Sequence, residues 1–291
     1  MQKRNVLNSP KLLELKRKNK AVVMRKISVW AFLFILLFVG LCFLSRWQKI
    51  NIAHVEISGN KIVETDEIRE IVDGEIGGYY LWFFPKTNFL FYPKKEIKVL
   101  LADKFPRLEN INVELKDAET LAVSVSERTA VHTWCGADVP GARATLVESQ
   151  CYFMDKAGYV FDLAPYFSND VYFKFFGALT GKSEEPLGSR YYPDIFEKLT
   201  LFKDSLKQMG VKPSSILVKD DGEVELYLVS NLPPPDAQKI IFKKDADFVK
   251  VAENLQAALT TEPLQTDFKK KYSSLLYIDL RFGNKVYFKF K

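Results

Sequence analysis

The side chains that could carry chemistry are few and poorly spaced for it. His132 and Cys135 lie three apart, a spacing at which a base could serve a thiol nucleophile. In a strand, however, a separation of three sends the two side chains to opposite faces. Asp220-Asp221 and Glu184-Glu185 are paired carboxylates of the type that divides acid and base duties, but both sit in turn-like surroundings where solvation is expected. Asp155-Lys156 opens a turn towards Gly158 and reads as hairpin chemistry. No Gly-x-Ser-x-Gly or phosphate-cradling glycine loop occurs. With only two histidines, His54 and His132, and no Cys-x-x-Cys, neither a metal site nor a cofactor is expected. The chain does not read as an enzyme.

Of three cysteines, Cys42 falls in an apolar run, and Cys135 and Cys151 lie beyond it. An even pair in an oxidising compartment reads as a disulfide. A Cys135–Cys151 bridge closes a loop of fifteen intervening residues, worth about 3 kcal/mol on a chain-entropy estimate.

The element that places everything else is that run: 19 residues, Ile27 to Ser45, without a charge. As a helix it is about 28 Å long, against a bilayer hydrocarbon core of roughly 30 Å. It is apolar on every face, unlike an amphipathic helix, and longer than the ~7–15-residue core of a cleaved signal peptide. It reads as an uncleaved transmembrane helix in contact with the lipid bilayer. Residues 1–26 hold nine Lys or Arg and one acid, Glu14, while only Arg46, Lys49 and Lys61 follow closely on the far side. The positive-inside bias therefore keeps the tail cytoplasmic and exports the C-terminus, a single-pass type II arrangement. Apart from the tail, the chain carries 33 basic and 35 acidic side chains, which argues against nucleic acid as a partner.

Beyond the span the pattern is α+β. Ala53, Val55 and Ile57 alternate with polar residues as a strand, and Gly59-Asn60 turns the chain. Thr65 is placed to cap a helix whose apolar face is Ile68, Ile71 and Val72. A second helix starts at Pro93, presents Ile97, Leu100, Leu101 and Phe105, and stops at Pro106. Ile111–Leu115 and Leu121–Val125 then alternate as a hairpin. The order is β-α-α-β-β, with both helices able to cover one face of a three-stranded sheet. Short apolar runs follow as strands, interrupted by helices near Asp194–Met209 and Asp245–Leu259. Pro233-Pro234-Pro235 is a stiff connector. The expectation for this part is a mainly antiparallel β domain with two helices.

In the last strand pair, Ile278, Leu280 and Phe282 share one face, as do Val286, Phe288 and Phe290. A two-residue Gly283-Asn284 turn would put these sets on opposite faces. A three-residue loop to Lys285, carrying a bulge, pairs Phe282 with Val286, Leu280 with Phe288 and Ile278 with Phe290, and sets Asp279 against Lys289. Burial favours the longer loop. With no residues after Lys291 to cover it, a final strand at a sheet edge would invite an added strand from a partner.

These motifs, taken in order, resemble the bacterial cell-division family FtsQ/DivIB. The resemblance rests on Val55-Glu56-Ile57-Ser58-Gly59-Asn60, Phe105-Pro106, and Val123-Ser124-Val125-Ser126-Glu127-Arg128 with Val131 and Trp134. It continues through Asp155-Lys156-Ala157-Gly158-Tyr159-Val160-Phe161 to the closing Ile278–Phe288 stretch. It implies a cytoplasmic tail (1–26), a transmembrane helix (27–45), a POTRA-like domain (50–128) and an FtsQ-type β domain (129–291). It further implies a non-enzymatic scaffold of the divisome at the septum of the bacterial inner membrane. The expected partners are FtsB/DivIC-like and FtsL-like single-pass proteins, with other division proteins meeting the POTRA-like domain. The partner-binding residues carried over are Arg281, Phe282, Asn284, Tyr287, Phe288 and Phe290. A membrane-anchored cell-wall enzyme and a POTRA-type module handling envelope proteins are the competing readings.

Three features depart from the resemblance and leave the docking details open: the Cys135–Cys151 insert, the absence of a C-terminal extension, and a long aromatic loop. Tyr79–Tyr92 holds eight aromatics in fourteen residues. These rings are expected to complete the small core of the first domain. The competing reading is a patch on the bilayer interface or a neighbouring membrane protein.

Overall fold

In the computed structural model, which describes residues 10–139, 150–167, 171–181, 185–232 and 234–291, one long helix leads into an α+β body. The helix α1, Pro10–Ser45, is long and apolar enough from Glu14 to Ser45 to cross a membrane, and its most apolar stretch is not buried in the protein. The chain divides into two compact units. The first holds α1, the chain to Asn60, Glu64–Leu100 and Ile111–Val125; the second holds Lys61–Val63, Leu101–Asn110 and Ser126–Lys291.

The first unit is built on β1 (His54–Ser58), α2 (Thr65–Ile76), the two-residue strands β2 (Tyr79–Tyr80) and β3 (Phe84–Pro85), and the start of α3 (Lys94–Lys104). Two further strands, β4 (Leu108–Leu115) and β5 (Thr120–Glu127), complete a sheet of order β1-β5-β4. β1 runs parallel to β5, with Val55 opposite Leu121 and Ile57 opposite Val123. Alternation drives this sheet: Leu121, Val123 and Val125 are buried from β5 and Val113 from β4. Gly59 ends β1 in the left-handed region (φ 91°), and a Cβ there would lie 2.0 Å from the Val125 carbonyl oxygen. The α2 face that is buried is Ile68, Val72 and Ile76, with Ile71 at its margin. Thr65 is already inside the helix and its hydroxyl accepts from the Asn60 amide (2.9 Å) instead of capping.

The aromatic stretch departs from expectation. Tyr79, Tyr80, Trp82, Phe83 and Phe91 are exposed, and Phe84, Phe89 and Tyr92 are half-buried. The buried positions of the first unit are taken mainly by aliphatic side chains from α2, α3, β4 and β5.

The second unit carries a nine-stranded mixed sheet. In chain order its strands are β6 (His132–Trp134), β7 (Tyr152–Met154), β8 (Val160–Leu163), β9 (Phe173–Gly177), β10 (Pro213–Val218), β11 (Glu223–Leu228), β12 (Lys239–Lys243), β13 (Leu275–Phe282) and β14 (Lys285–Phe290). Their spatial order is β14-β13-β12-β11-β10-β9-β6-β7-β8. The expected mainly antiparallel domain with two helices is modified here. β9 with β10, β6 with β9, and β12 with β13 are parallel. A parallel neighbour needs a crossover, and two of these crossovers are the helical segments. α4 (Phe196–Gln208) links β9 to β10, and α5 (Phe248–Leu259) with the additional α6 (Leu264–Lys270) links β12 to β13. Leu199, Phe202 and Leu206 of α4 and Phe248, Val251 and Leu255 of α5 pack on Ile216, Leu226, Phe242 and Ile278 of the sheet in one core. Asp247 caps α5, its carboxylate accepting from the Val249 and Lys250 N–H groups. Cys135 and Cys151 are joined by a disulfide beside the buried Phe176, Leu217 and Tyr227. Residues 140–149 of its loop, Glu184, Pro233 and residues 1–9 of the tail lie outside the described residues.

The last strand pair corrects the expected loop and register. The connection is the two-residue Gly283-Asn284, with Phe282 opposite Lys285 and Gly283 in the left-handed region (φ 66°). A bulge follows: Leu280 and Arg281 of β13 stand against Val286 alone, so that Asp279 meets Tyr287 and Ile278 meets Phe288. The extra residue does in the strand what a longer loop would have done in the turn. It brings Ile278, Leu280, Val286, Phe288 and Phe290 to the core face. It also flips Phe282 outward, where its ring meets that of Tyr287 at 5.3 Å.

Candidate partner-docking edge

β14 is an end strand of the nine-stranded sheet, paired on one side with β13. The Lys291 N–H donates to the Ser274 carbonyl on the β13 side (2.8 Å). Backbone groups alternate along a strand, so those of Lys289, Tyr287 and Lys285 also face β13. The N–H and C=O groups of Val286, Phe288 and Phe290 therefore face the open side. Three donors and three acceptors on one edge can accept an added strand.

The six residues expected to bind a partner fall into different settings. Phe288 and Phe290 point their side chains to the core, half-buried, as does Val286 outside that set, and the Phe288 and Phe290 rings contact each other at 5.9 Å. Phe282 and Tyr287 stand on the other face, 55% and 50% exposed. Asn284 is exposed at the turn, which the α5 side chain Asn254 holds by donating to the Gly283 carbonyl (2.8 Å). Arg281 is engaged within the chain: its Nε donates to Asp279 (2.9 Å), Nη2 to the other Asp279 oxygen (2.6 Å) and Nη1 to Glu223. Hydrogen bonding to Asp279 holds the guanidinium charged, well above its ordinary value. Arg281 thus fixes the bulge, and the side chains free to meet a partner are Phe282, Asn284 and Tyr287.

A second constellation joins motifs distant in sequence. Glu127 Oε1 accepts from the N–H groups of Lys61 (2.6 Å), Ile62 (2.7 Å) and Val63 (3.0 Å). Burial would raise this carboxyl, but the three N–H donors and Arg107 outweigh it and hold it low. Its neighbour Arg128 donates to Asp155 (2.7 Å) and lies over the Tyr159 ring, 4.2 Å from the centroid. Asp155 also accepts from the Ala157 and Tyr159 N–H groups, shaping the turn at Gly158 (φ 73°). These contacts account structurally for Glu127-Arg128 and for Asp155 through Tyr159.

Among the described residues, the chemistry-bearing side chains do not assemble. Cys135 is consumed by its disulfide. His132 is buried among the Phe173, Phe175 and Phe196 rings, its Nδ1 without a partner among the described residues. Burial, reinforced by Lys203, lowers its pKa to about 4, so it is a neutral core residue near neutrality. Asp221 accepts from the Glu223 N–H (2.9 Å) in a turn. Among the described residues no three His, Cys, Asp or Glu gather as metal ligands would. β6 and α6 escaped the sequence reading. β6 has three residues and no alternation, and α6 is only two turns long; the Pro263 that precedes it is its one signal.

Comparison with models of protein families gives no match for this chain, and comparison with curated proteins gives none either.

Proposed function

We propose that this chain is a non-enzymatic, membrane-tethered scaffold of the FtsQ/DivIB kind, joining septal cell-wall synthesis proteins at the bacterial division site. On this reading the basic tail is cytoplasmic, α1 spans the inner membrane, and the rest is extracytoplasmic. The β-α-α-β-β unit acts as a POTRA-like module, and β14 docks an FtsB/DivIC-type single-pass partner by strand addition. The observation that carries the proposal is the open edge of β14, with the Val286, Phe288 and Phe290 backbone groups facing away from the sheet. Confinement to one membrane raises the effective concentration of partner and edge.

The test is co-purification of the full-length protein with an FtsB/DivIC-type partner, comparing wild type with Val286→Pro. Proline removes an edge donor without removing a bond to β13, and the side chain remains apolar. Loss of the complex with an unchanged melting temperature supports strand addition; full retention of the complex overturns it.

A further inference from the structure

From Glu14 to Ser45, every side chain of α1 is exposed except Phe38, Cys42 and Ser45. Their spacing of four and three marks one stripe of the helix. What covers that stripe is the aromatic segment. At its base, Asn88 donates to the Ser45 carbonyl (3.3 Å), and the Ile52 N–H donates to the Thr87 carbonyl (2.8 Å). Asn51 donates to the Ser45 carbonyl (3.0 Å), an acceptor that the helix end leaves open, and to the Trp47 carbonyl (2.7 Å). From that anchorage the β2–β3 ribbon runs back along the helix, and Phe38 meets the Phe83 and Phe84 rings edge-on at 5.5 and 5.9 Å.

Depth follows from helix geometry. Phe38 lies seven residues before Ser45, so these rings sit about 10 Å along the axis from the helix end, towards the middle of the apolar run. At the ribbon's tip Leu81 and Trp82 are 81% and 89% exposed. Both take left-handed backbone, φ 48° and 70°, where a tight hairpin ordinarily uses Asn-Gly. Behind the tip, Arg46 lies over the Tyr79 ring (5.5 Å) and Lys86 near the Tyr80 ring (5.8 Å). The order along the ribbon is apolar tip, then tyrosines, then cations. That is the order of acyl chain, interface and phosphate in one leaflet.

We infer that the Tyr79–Pro85 hairpin is a second membrane-embedded element. Its Leu81-Trp82 tip enters the lipid of the outer leaflet beside α1, and Arg46 and Lys86 sit at headgroup level. Lipid is the occupant because the patch is continuous with the lipid-facing surface of α1 and reaches it at a depth where water is absent. The hairpin then fixes the first unit against the bilayer, which a lone helix, free to rotate and tilt, does not do. The inference rests on α1 being a membrane span.

The experiment reconstitutes the full-length chain into phosphatidylcholine vesicles with plain or acyl-brominated lipid. Three single-tryptophan versions keep Trp82, Trp30 or Trp134, with Phe at the other positions. Brominated lipid should quench Trp82 and Trp30 by roughly two-fold or more, as expected for rings among acyl chains, and leave Trp134 unchanged. Trp30 quenched without Trp82 overturns the hairpin insertion while keeping the span. Neither quenched overturns both. Trp82 shielded from aqueous iodide yet insensitive to brominated lipid shows a protein cover and also overturns the inference. The difference in quenching between the wild-type chain and Trp82→Phe gives the same reading without the multiple replacements.

Discussion

Phe288 stands directly opposite Ile278 on the core face of the last strand pair. Its neighbour Tyr287 stands on the other face, exposed beside Phe282. Stability and recognition should therefore separate along one strand. Phe288→Ala should cost about 2 kcal/mol, less than a fully buried phenylalanine, whereas Tyr287→Ala should stay within ~0.5 kcal/mol. In partner co-purification the order reverses in meaning: loss with Tyr287→Ala reports the interface, while loss with Phe288→Ala is confounded by unfolding. Thermal unfolding in detergent beside co-purification checks this.

The same hairpin shows what the sequence makes legible. Alternation stated which residues of β14 face inward, because burial requires Val286, Phe288 and Phe290 on one side. It could not state the register. A two-residue turn with a strand bulge and a three-residue loop satisfy the same burial rule, and the choice is made by Arg281 binding Asp279 and Glu223, the latter 58 residues away. Likewise the pattern gave α4 and α5 as helices, but their role as crossovers between parallel strands depends on pairings hidden from periodicity. The aromatic stretch differs from its expectation for a related reason. Composition shows that rings are abundant, and only the structure shows that the buried positions of the first unit are taken mainly by aliphatic side chains.

His132 makes stability depend on pH in a definite direction. Its folded pKa of about 4 lies below its ordinary value of 6.5, because burial and the nearby Lys203 and Lys207 disfavour the charge, Asp204 opposing only in part. Between those values the unfolded chain binds a proton that the folded chain does not, so stability falls as pH drops through the window. About 2 kcal/mol should be lost between pH 7 and pH 5. Glu127 and Glu225 are held below the ordinary 4.5, so their stabilisation is largely intact through this window and is lost only at lower pH. Melting of His132→Phe should be nearly flat from pH 7 to 5. A wild type equally flat would refute this assignment.

The Cys135–Cys151 bridge closes a sixteen-residue separation. Cys135→Ala with Cys151→Ala should lower stability by about 3 kcal/mol, chiefly through the unfolded chain. Since neither sulfur lies on β14, partner binding at temperatures well below melting should persist. Chemical denaturation with and without reductant measures the first effect, and co-purification the second.

The hairpin tip sets stability against membrane contact. Leu81 and Trp82 occupy left-handed backbone at a cost of order 1–3 kcal/mol each, and neither is covered by the rest of the protein. Replacing them with the pair such turns prefer, Leu81→Asn with Trp82→Gly, should raise the melting temperature in mild detergent, a gain of about 1 kcal/mol or more. In bilayers the ranking should narrow or invert, because the variant gives up the lipid burial of two large side chains, roughly 1.5–3 kcal/mol each. On the inferred insertion, the strain at this tip is offset by its burial in lipid. Unfolding measured in both environments decides it: a variant stabilised equally in detergent and bilayer would mean that Leu81 and Trp82 gain nothing from lipid.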